Sequence, residues 1–147
     1  MYGRPKFLGA ILRFSMGWVF FYAGITKILD SSWSSKGFLE NAESFQALFS
    51  WLANPHNLLW VDFLNKWGVA ALGVALMLGV FTNIAASFGI LVMLLYYLPG
   101  LNFPFVGEHS LLIDEHIIYT LALLLVMRIR AGKDYSITSL FRRRTVV

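Results

Sequence analysis

The stretch LIDEHIIYTLALLLVM, residues 112–127, places three ionisable side chains at the start of an apolar run. Asp114, Glu115 and His116 are adjacent, and Tyr119 follows about one helical turn later. Because histidine titrates near neutral pH, a Glu/His/Tyr stripe can hold a quinone carbonyl and relay a proton. Acids in a first helical turn also complement the helix dipole, which explains Asp114 as a cap and leaves Glu115 and His116 in question.

Two basic side chains, Arg13 and Lys27, lie inside another apolar run. On one helix they are separated by about 21 Å, so Lys27 lies near one membrane face and Arg13 nearer the other. If Arg13 has a functional role, it contacts an anion, a lipid or a quinone head group. If its role is structural, its side chain snorkels toward the membrane surface or forms an ion pair. Lys27 either pairs with Asp30 or joins the 114–116 cluster in a shared polar site.

The composition indicates that a membrane bilayer surrounds these residues. The chain of 147 residues is 58% hydrophobic and 14% charged, whereas soluble proteins are about 25% charged. Cysteine is absent, which excludes disulfides, thiol redox centres and cysteine-ligated metals. The three histidines show no metal-ligand spacing, so no metal site is predicted. The net charge of +4 comes from residues flanking the apolar runs, so no nucleic-acid partner is predicted either.

The apolar runs predict an all-α fold, a four-helix transmembrane bundle in a single membrane domain at 1–147. About 20 apolar residues span a bilayer, and the third and fourth runs are shorter than that. The four predicted spans are about 7–29, 58–81, 84–99 and 111–128. A basic tail follows at 129–147.

The charges predict the orientation of this bundle. Eight of the twelve basic residues lie near the two termini: Arg4, Lys6, Arg128, Arg130, Lys133, Arg142, Arg143 and Arg144. All the acids except Asp134 lie in or beside the connections between the first and second and between the third and fourth spans. The positive-inside rule therefore predicts that both termini are cytoplasmic, which requires an even number of spans.

The long connection at 30–57 predicts an amphipathic helix, on the outer membrane surface or folded over the bundle. Its apolar residues recur at helical spacing: Phe38, Leu39, Ala42, Phe45, Leu48, Phe49 and Leu52. Small residues predict two further contacts. Gly17 and Gly24 lie on the face of the first helix that carries Arg13 and Lys27, so this face should point inward. A second stripe, Ala71, Ala75 and Gly79, should face the third helix.

Three segments of the chain resemble the DoxX-like membrane proteins: LRFSMGWVFFYAGITKI, LGVALMLGVFTNIAA and LIDEHIIYTLALLL. The positions that carry the resemblance are Arg13, Gly17, Gly24, Lys27, Gly73, Gly79, Thr82, Asp114, Glu115, His116 and Tyr119. Many members carry an acid near the start of the second helix. This chain has Trp67-Gly68-Val69 there, with Asp62 as the nearest acid, and the departure weakens a direct transfer of catalytic function.

The resemblance implies a four-helix subunit of a quinone-linked oxidoreductase, one that passes electrons from thiosulfate to membrane quinone with a partner. Glu115 and His116 are then the catalytic candidates, and the candidates for binding substrate or quinone are Arg13, Lys27, Glu115, His116 and Tyr119. The alternative is a non-catalytic accessory or scaffolding subunit of a larger membrane complex. Both hypotheses expect lipid and other subunits as partners, the plasma membrane of a prokaryote, and no covalently bound cofactor. The redox hypothesis also expects quinone as a ligand.

Overall fold

The computed structural model describes residues 4–107 and 109–129. Glu108 and nearly all of the predicted basic tail lie outside the described residues. The elements, in chain order, are α1 (Arg4–Leu29), α2 (Lys36–Glu40), α3 (Gln46–Leu52), α4 (Pro55–Phe63), a π-helical segment (Leu64–Gly68), α5 (Val69–Leu78), α6 (Thr82–Tyr97), a 3-10 turn (Leu98–Gly100), β1 (Leu101–Asn102), β2 (Phe105–Val106), β3 (Ser110–Leu111) and α7 (Glu115–Arg128).

Three of the helical stretches are long and apolar enough to cross a membrane: Lys6–Leu29, Pro55–Leu78 and Thr82–Gly100. The middle stretch, named here the second span, joins α4, the π segment and α5 without a break. The fourth predicted span is represented by α7, whose 14 residues rise about 21 Å, short of a full crossing. The membrane character is thus confirmed with three candidate spans, and the fourth stays a prediction.

α1 and the second span form the closest helix pair, and the inward face predicted for α1 is confirmed. A Cβ added to Gly17 would lie 2.7 Å from the Met77 backbone nitrogen, and one added to Gly24 would lie 2.5 Å from that of Ala70. Only hydrogen fits at such distances, so the backbones are nearly in contact, as in small-residue membrane seams. These positions, together with Gly73, are named here the glycine seam.

The predicted stripe between the second and third spans is wrong at Ala71, which is exposed because the second span turns Gly73 and Met77 toward α1. Ala75 of the stripe does pack on the core that contains Ala85 of α6. α6 instead packs mainly against α7, where a Cβ on Gly89 would lie 3.0 Å from Leu123 Cδ1. The main core lies between α1, α5, α6 and α7, and its fully buried members include Phe20, Leu76, Ala86 and Leu123.

The connection between α1 and the second span contains two short helices, α2 and α3, rather than the single helix predicted. The helix breaks at Phe45, whose backbone is left-handed with φ 49°, and the Glu43 amide donates to the Pro99 carbonyl at 2.8 Å. Leu39 and Phe49 then pack on Val61 of α4 in a second apolar cluster. The connection therefore folds over the end of the bundle that holds Lys27, named here the Lys27 end.

The connection between α6 and α7 shows that the all-α prediction is wrong there. β1, β2 and β3 form a small antiparallel sheet in that order, with Leu101 opposite Val106 and Phe105 opposite Leu111. Proline cannot continue a helix interior, and glycine weakens it. Pro99, Gly100, Pro104 and Gly107 therefore end α6 and leave the backbone to satisfy its hydrogen bonds by pairing locally.

Candidate functional site

A pocket of about 620 Å³ opens at the Lys27 end, between the two apolar clusters. Its walls come from α1, the α1–α4 connection, the second span, α6 and α7. Most of the lining is aliphatic or aromatic, and the polar contribution comes from a few side chains: Lys27, Ser34, Ser35, Asn65, Tyr96 and His116. A mainly apolar cavity of this size with a few convergent polar groups is the usual form of a small-molecule site.

A chain of hydrogen bonds from three helices crosses the pocket wall. The Lys27 ammonium donates to the Tyr96 hydroxyl at 2.8 Å, and that hydroxyl donates to the Asn65 side-chain oxygen. The Asn65 amide nitrogen donates to the Val61 carbonyl at 3.2 Å, which fixes the direction of its oxygen. Each polar atom thus has a set orientation, which a buried polar network needs in order to be stable.

Aromatic rings rather than carboxylates surround the Lys27 ammonium. Its nitrogen lies 4.8 Å from the centroid of the Trp33 ring and 4.9 Å from that of Tyr96, both within cation–π range. Lys66 approaches Trp33 at 5.5 Å. The predicted Lys27–Asp30 pair is absent, because Asp30 accepts from the Ser32 hydroxyl and amide at 2.7 and 2.9 Å. Those hydrogen bonds lower the pKa of the Asp30 carboxyl.

The π-helical segment Leu64–Gly68 presents Asn65 to the pocket. A π-helical turn accommodates more residues than an α-helical one, and such turns are rare and frequent at functional sites. Leu64, Asn65 and Gly68 all line the pocket, and the next residues of the second span enter the glycine seam. The segment therefore lies at the transition between a wall of the pocket and a close helix contact.

At the start of α7, Asp114 has two roles. As the N-cap, its Oδ1 accepts from the amides of His116 and Ile117 at 3.0 and 3.2 Å, as cap residues do. Its Oδ2 lies 2.5 Å from His116 Nδ1. The His116 ring meets the Tyr96 ring edge to face at 6.2 Å between centroids. Asp114 therefore orients the histidine that lines the pocket, a role that the sequence analysis had not given it.

A buried serine ties the α1–α4 connection to the second span. The hydroxyl and amide of Ser35 donate to Asp62 Oδ1 at 2.6 and 2.9 Å, and Ser35 is 4% exposed. Asp62 is the acid nearest to Trp67-Gly68-Val69, where the chain departs from the family pattern. Its hydrogen bonds to Ser35 fix the part of the pocket wall that contains Ser34 and Ser35.

The structure brings together two of the five predicted site residues, since Lys27 and His116 line the same pocket. Glu115 is exposed at the pocket's end of the bundle, and Tyr119 is half-buried against the main core. Arg13 is 3% exposed and lies about 21 Å from Lys27 along α1, so it belongs to the opposite end of the bundle.

Three pocket residues were missed in the sequence: Trp33, Asn65 and Tyr96. A signal existed for Asn65, which is an amide side chain inside the apolar run of the second span. Aromatic residues are common at membrane interfaces, so neither Trp33 nor Tyr96 stood out. Nothing in their spacing shows that the chain folds back to bring both rings to Lys27.

The comparisons with known proteins place this membrane architecture in a family. The sequence model of the DoxX family matches residues 8–99, so the chain belongs to the DoxX family. The match includes Lys27, Asn65 and Tyr96, and α7 with His116 follows it. No curated protein matches the chain, and no solved structure does.

Proposed function

We propose that this DoxX-type membrane protein is a subunit of a quinone-linked oxidoreductase and that it binds quinone in the pocket at the Lys27 end. The observation that carries the proposal is the Lys27–Tyr96–Asn65 chain set in an otherwise apolar cavity of about 620 Å³. Such a cavity fits a flat apolar ring whose polar atoms are hydrogen-bond acceptors.

The donor set suits the carbonyl groups of a quinone. Lys27 supplies an ammonium with N–H groups beyond the one that it donates to Tyr96, while apolar walls exclude water and strengthen the interaction. Tyr96, whose own proton goes to Asn65, holds that ammonium in place. A bound quinone would accept a pair of electrons and a pair of protons in each turnover. Phe38 packs edge to face on Tyr96 at 6.0 Å between centroids, so two rings, those of Phe38 and His116, contact the phenol ring.

His116 is the residue that we propose to move protons between the pocket and water. Its Nδ1 is held by Asp114, so Nε2 is the ring nitrogen left for the pocket. The His116 side chain lines the cavity and is also 24% exposed, so it is accessible from the surface. Glu115, exposed next to it, would act as the proton exchanger with solvent.

A partner subunit is part of the proposal, because the chain has no cysteine and the described residues hold no group of metal ligands. Thiosulfate oxidation would take place with that partner, and its electrons would reach the quinone pocket. We propose that α7 completes a fourth span in the plasma membrane of a prokaryote. Both termini would be cytoplasmic and the Lys27 end would face outward, as the distribution of basic residues predicts.

The competing candidate is a non-catalytic accessory subunit. Its supporting observation is the exposed apolar surface of the spans, where Phe14, Trp18 and Leu121 are among the exposed side chains. Lipid covers such a surface, and a larger membrane complex would cover it equally well. This candidate needs no ligand in the pocket, so quinone binding separates the two.

The test is a titration of the purified protein in nanodiscs with decylubiquinone, followed by quenching of tryptophan fluorescence. Trp33 and Trp60 line the pocket, so a bound quinone would quench them. We expect Lys27→Met to weaken binding about tenfold, because a hydrogen bond from a charged donor is lost. The control is Lys36→Met, which removes an exposed lysine paired with Glu40.

Absence of saturable quenching in the unmodified protein would reject the quinone site and favour the accessory role. Equal weakening by Lys27→Met and Lys36→Met would also reject it, because the second lysine lies outside the pocket. A second measurement asks whether the protein, isolated from native membranes with its partners, reduces quinone when thiosulfate is added. Loss of that activity in Lys27→Met is the expected result.

A further inference from the structure

We infer that the pocket takes a quinone with a long hydrocarbon tail, which enters from the bilayer through a gap between the second span and α6. This inference rests on the proposed function and adds to it the class of quinone and its route. The gap is named here the lateral gap and is lined by Leu64, Gly68, Phe88, Leu91 and Leu95.

The pocket is not closed on its α6 side. Phe88, Leu91 and Leu95 recur at intervals of three and four residues, so they share one face of the helix. They line the pocket and yet are 57%, 51% and 37% exposed. Because they lie in a membrane-spanning helix, the medium that they face is hydrocarbon rather than water. A ligand in the pocket is therefore in contact with the lipid.

The facing wall of the gap is also apolar and open. Leu64 is exposed, and Gly68 lies one helical turn further along the second span. A Cβ added to Gly68 would meet only Leu64 atoms, at 3.8 and 3.9 Å, which is an ordinary contact. The space in front of Gly68 thus remains open to a ligand.

Along α6 the polar and apolar lining residues are separated. Tyr96, which bonds to Lys27, is next in sequence to Leu95, the first gap residue from the Lys27 end. From Leu95 to Phe88 the gap extends about 10 Å along α6, away from the polar groups. None of the five gap residues has a polar side-chain atom. A ligand that fills both parts has a polar head at one end and a hydrocarbon tail at the other.

The experiment compares two quinone probes in nanodiscs of one lipid composition: decylubiquinone and the tail-less ring, 2,3-dimethoxy-5-methyl-1,4-benzoquinone. Leu91→Trp and Gly68→Leu fill the gap from opposite sides. We expect each to weaken decylubiquinone binding about tenfold, because a filled groove cannot take the tail without overpacking. Binding of the tail-less ring should change less than about twofold.

The matched control is Leu94→Trp, on the same helix at a residue that is 40% exposed and does not line the pocket. It should leave the affinity for both probes unchanged. Because all variants share one lipid, partition of the probes into the bilayer cancels in the comparison. Retained binding of the tail-less ring also shows that each variant is folded.

Equal loss of both probes in Leu91→Trp and Gly68→Leu would overturn the inference, since the gap would then belong to the head-group site. Unchanged affinity for both probes would overturn it as well, since the tail would lie elsewhere, while the proposed quinone site would stand. Failure of both probes to bind the unmodified protein would instead reject the proposed function and the inference together.

Discussion

α1 meets the second span in two different ways along its length. In the glycine seam, at Gly17 and Gly24, the two backbones are so close that no side chain fits between them. One turn beyond Gly24, at Lys27, the same helices line a pocket of about 620 Å³. The difference shows two ways to use a helix pair. In the seam, glycines without side chains let the backbones touch, whereas in the pocket a few side chains are held by fixed hydrogen-bond partners.

The two regions depend on each other. Lys27 carries a charge at the margin of a membrane protein, and its ammonium contacts a hydroxyl and aromatic rings. Such a group keeps its position only if its helix is held firmly, because charged groups at membrane depth otherwise move toward water. The glycine seam provides that anchor, which makes its geometry part of the candidate site.

The largest effect should come from adding one methyl group to the seam. We expect Gly24→Ala to lower the free energy of unfolding by about 3 kcal/mol, because its Cβ would overlap the Ala70 backbone. Unfolding in mixed detergent micelles measures this change. Gly37→Ala is the control, since a Cβ there meets nothing within 4 Å; it should be neutral or stabilise α2 by about 0.5 kcal/mol. Similar losses in both variants would remove the special role of the seam.

The next largest effect should come from the pocket's central hydroxyl. Tyr96→Phe leaves the Lys27 ammonium and the Asn65 oxygen without their shared partner, so we expect a loss of about 2 kcal/mol in unfolding free energy. Tyr97→Phe is the neighbouring control, because its hydroxyl donates to the Leu112 carbonyl at an exposed site. It should cost less than about 1 kcal/mol. A smaller loss at Tyr96 than at Tyr97 would mean that the chain of hydrogen bonds is unimportant.

A third effect tests the wall contributed by the α1–α4 connection. Ser35→Ala removes a buried hydroxyl from Asp62, and we expect a loss of about 1.5 kcal/mol, the lower end for a hydrogen bond to a charged group. Ser34→Ala, whose hydroxyl accepts from the exposed Lys36 amide at 3.2 Å, should cost less than about 0.5 kcal/mol. Thermal unfolding followed by intrinsic fluorescence compares the two, and equal midpoints would contradict the proposed anchor.

The smallest effect separates the two roles of Asp114. Asparagine caps a helix about as well as aspartate, so Asp114→Asn should change unfolding free energy by less than about 0.5 kcal/mol. It removes the carboxylate beside His116 Nδ1, and we expect decylubiquinone to bind about threefold more weakly. His116→Gln, which removes the imidazole, should do the same. Unaltered affinity in Asp114→Asn would leave this residue a cap and nothing more.

The membrane character could be predicted from the composition and the long apolar runs, and the family from three segments of the chain that resemble it. The inward face of α1 was also predicted correctly, since helical periodicity places Gly17 and Gly24 on one side. The neighbour of that face was not, because periodicity gives the direction of a side chain and not the helix that it meets. Ala71 and Gly73 are both small residues of the second span, and the structure turns Gly73 to α1 and leaves Ala71 exposed.

The candidate site was predicted only in part, for a similar reason. Lys27 and His116 stood out because charge in an apolar run is costly, and both line the pocket. Tyr96 and Trp33 did not, since aromatic residues are ordinary at membrane interfaces. The small sheet was missed because each of its strands has two residues, too few to show an alternating pattern.

The π segment at Leu64–Gly68 has a consequence for how this helix tolerates insertions and deletions. A π turn holds about one residue more than an α turn, so the extra residue is taken up locally and α4 and α5 keep nearly the rotation of one continuous helix. Deleting a single residue there would restore an ordinary α-helix, with Asp62 still on the side of Ser35 and Gly73 still in the seam. The segment is thus the place where this helix can change its length by one residue while the pocket wall and the seam stay in phase.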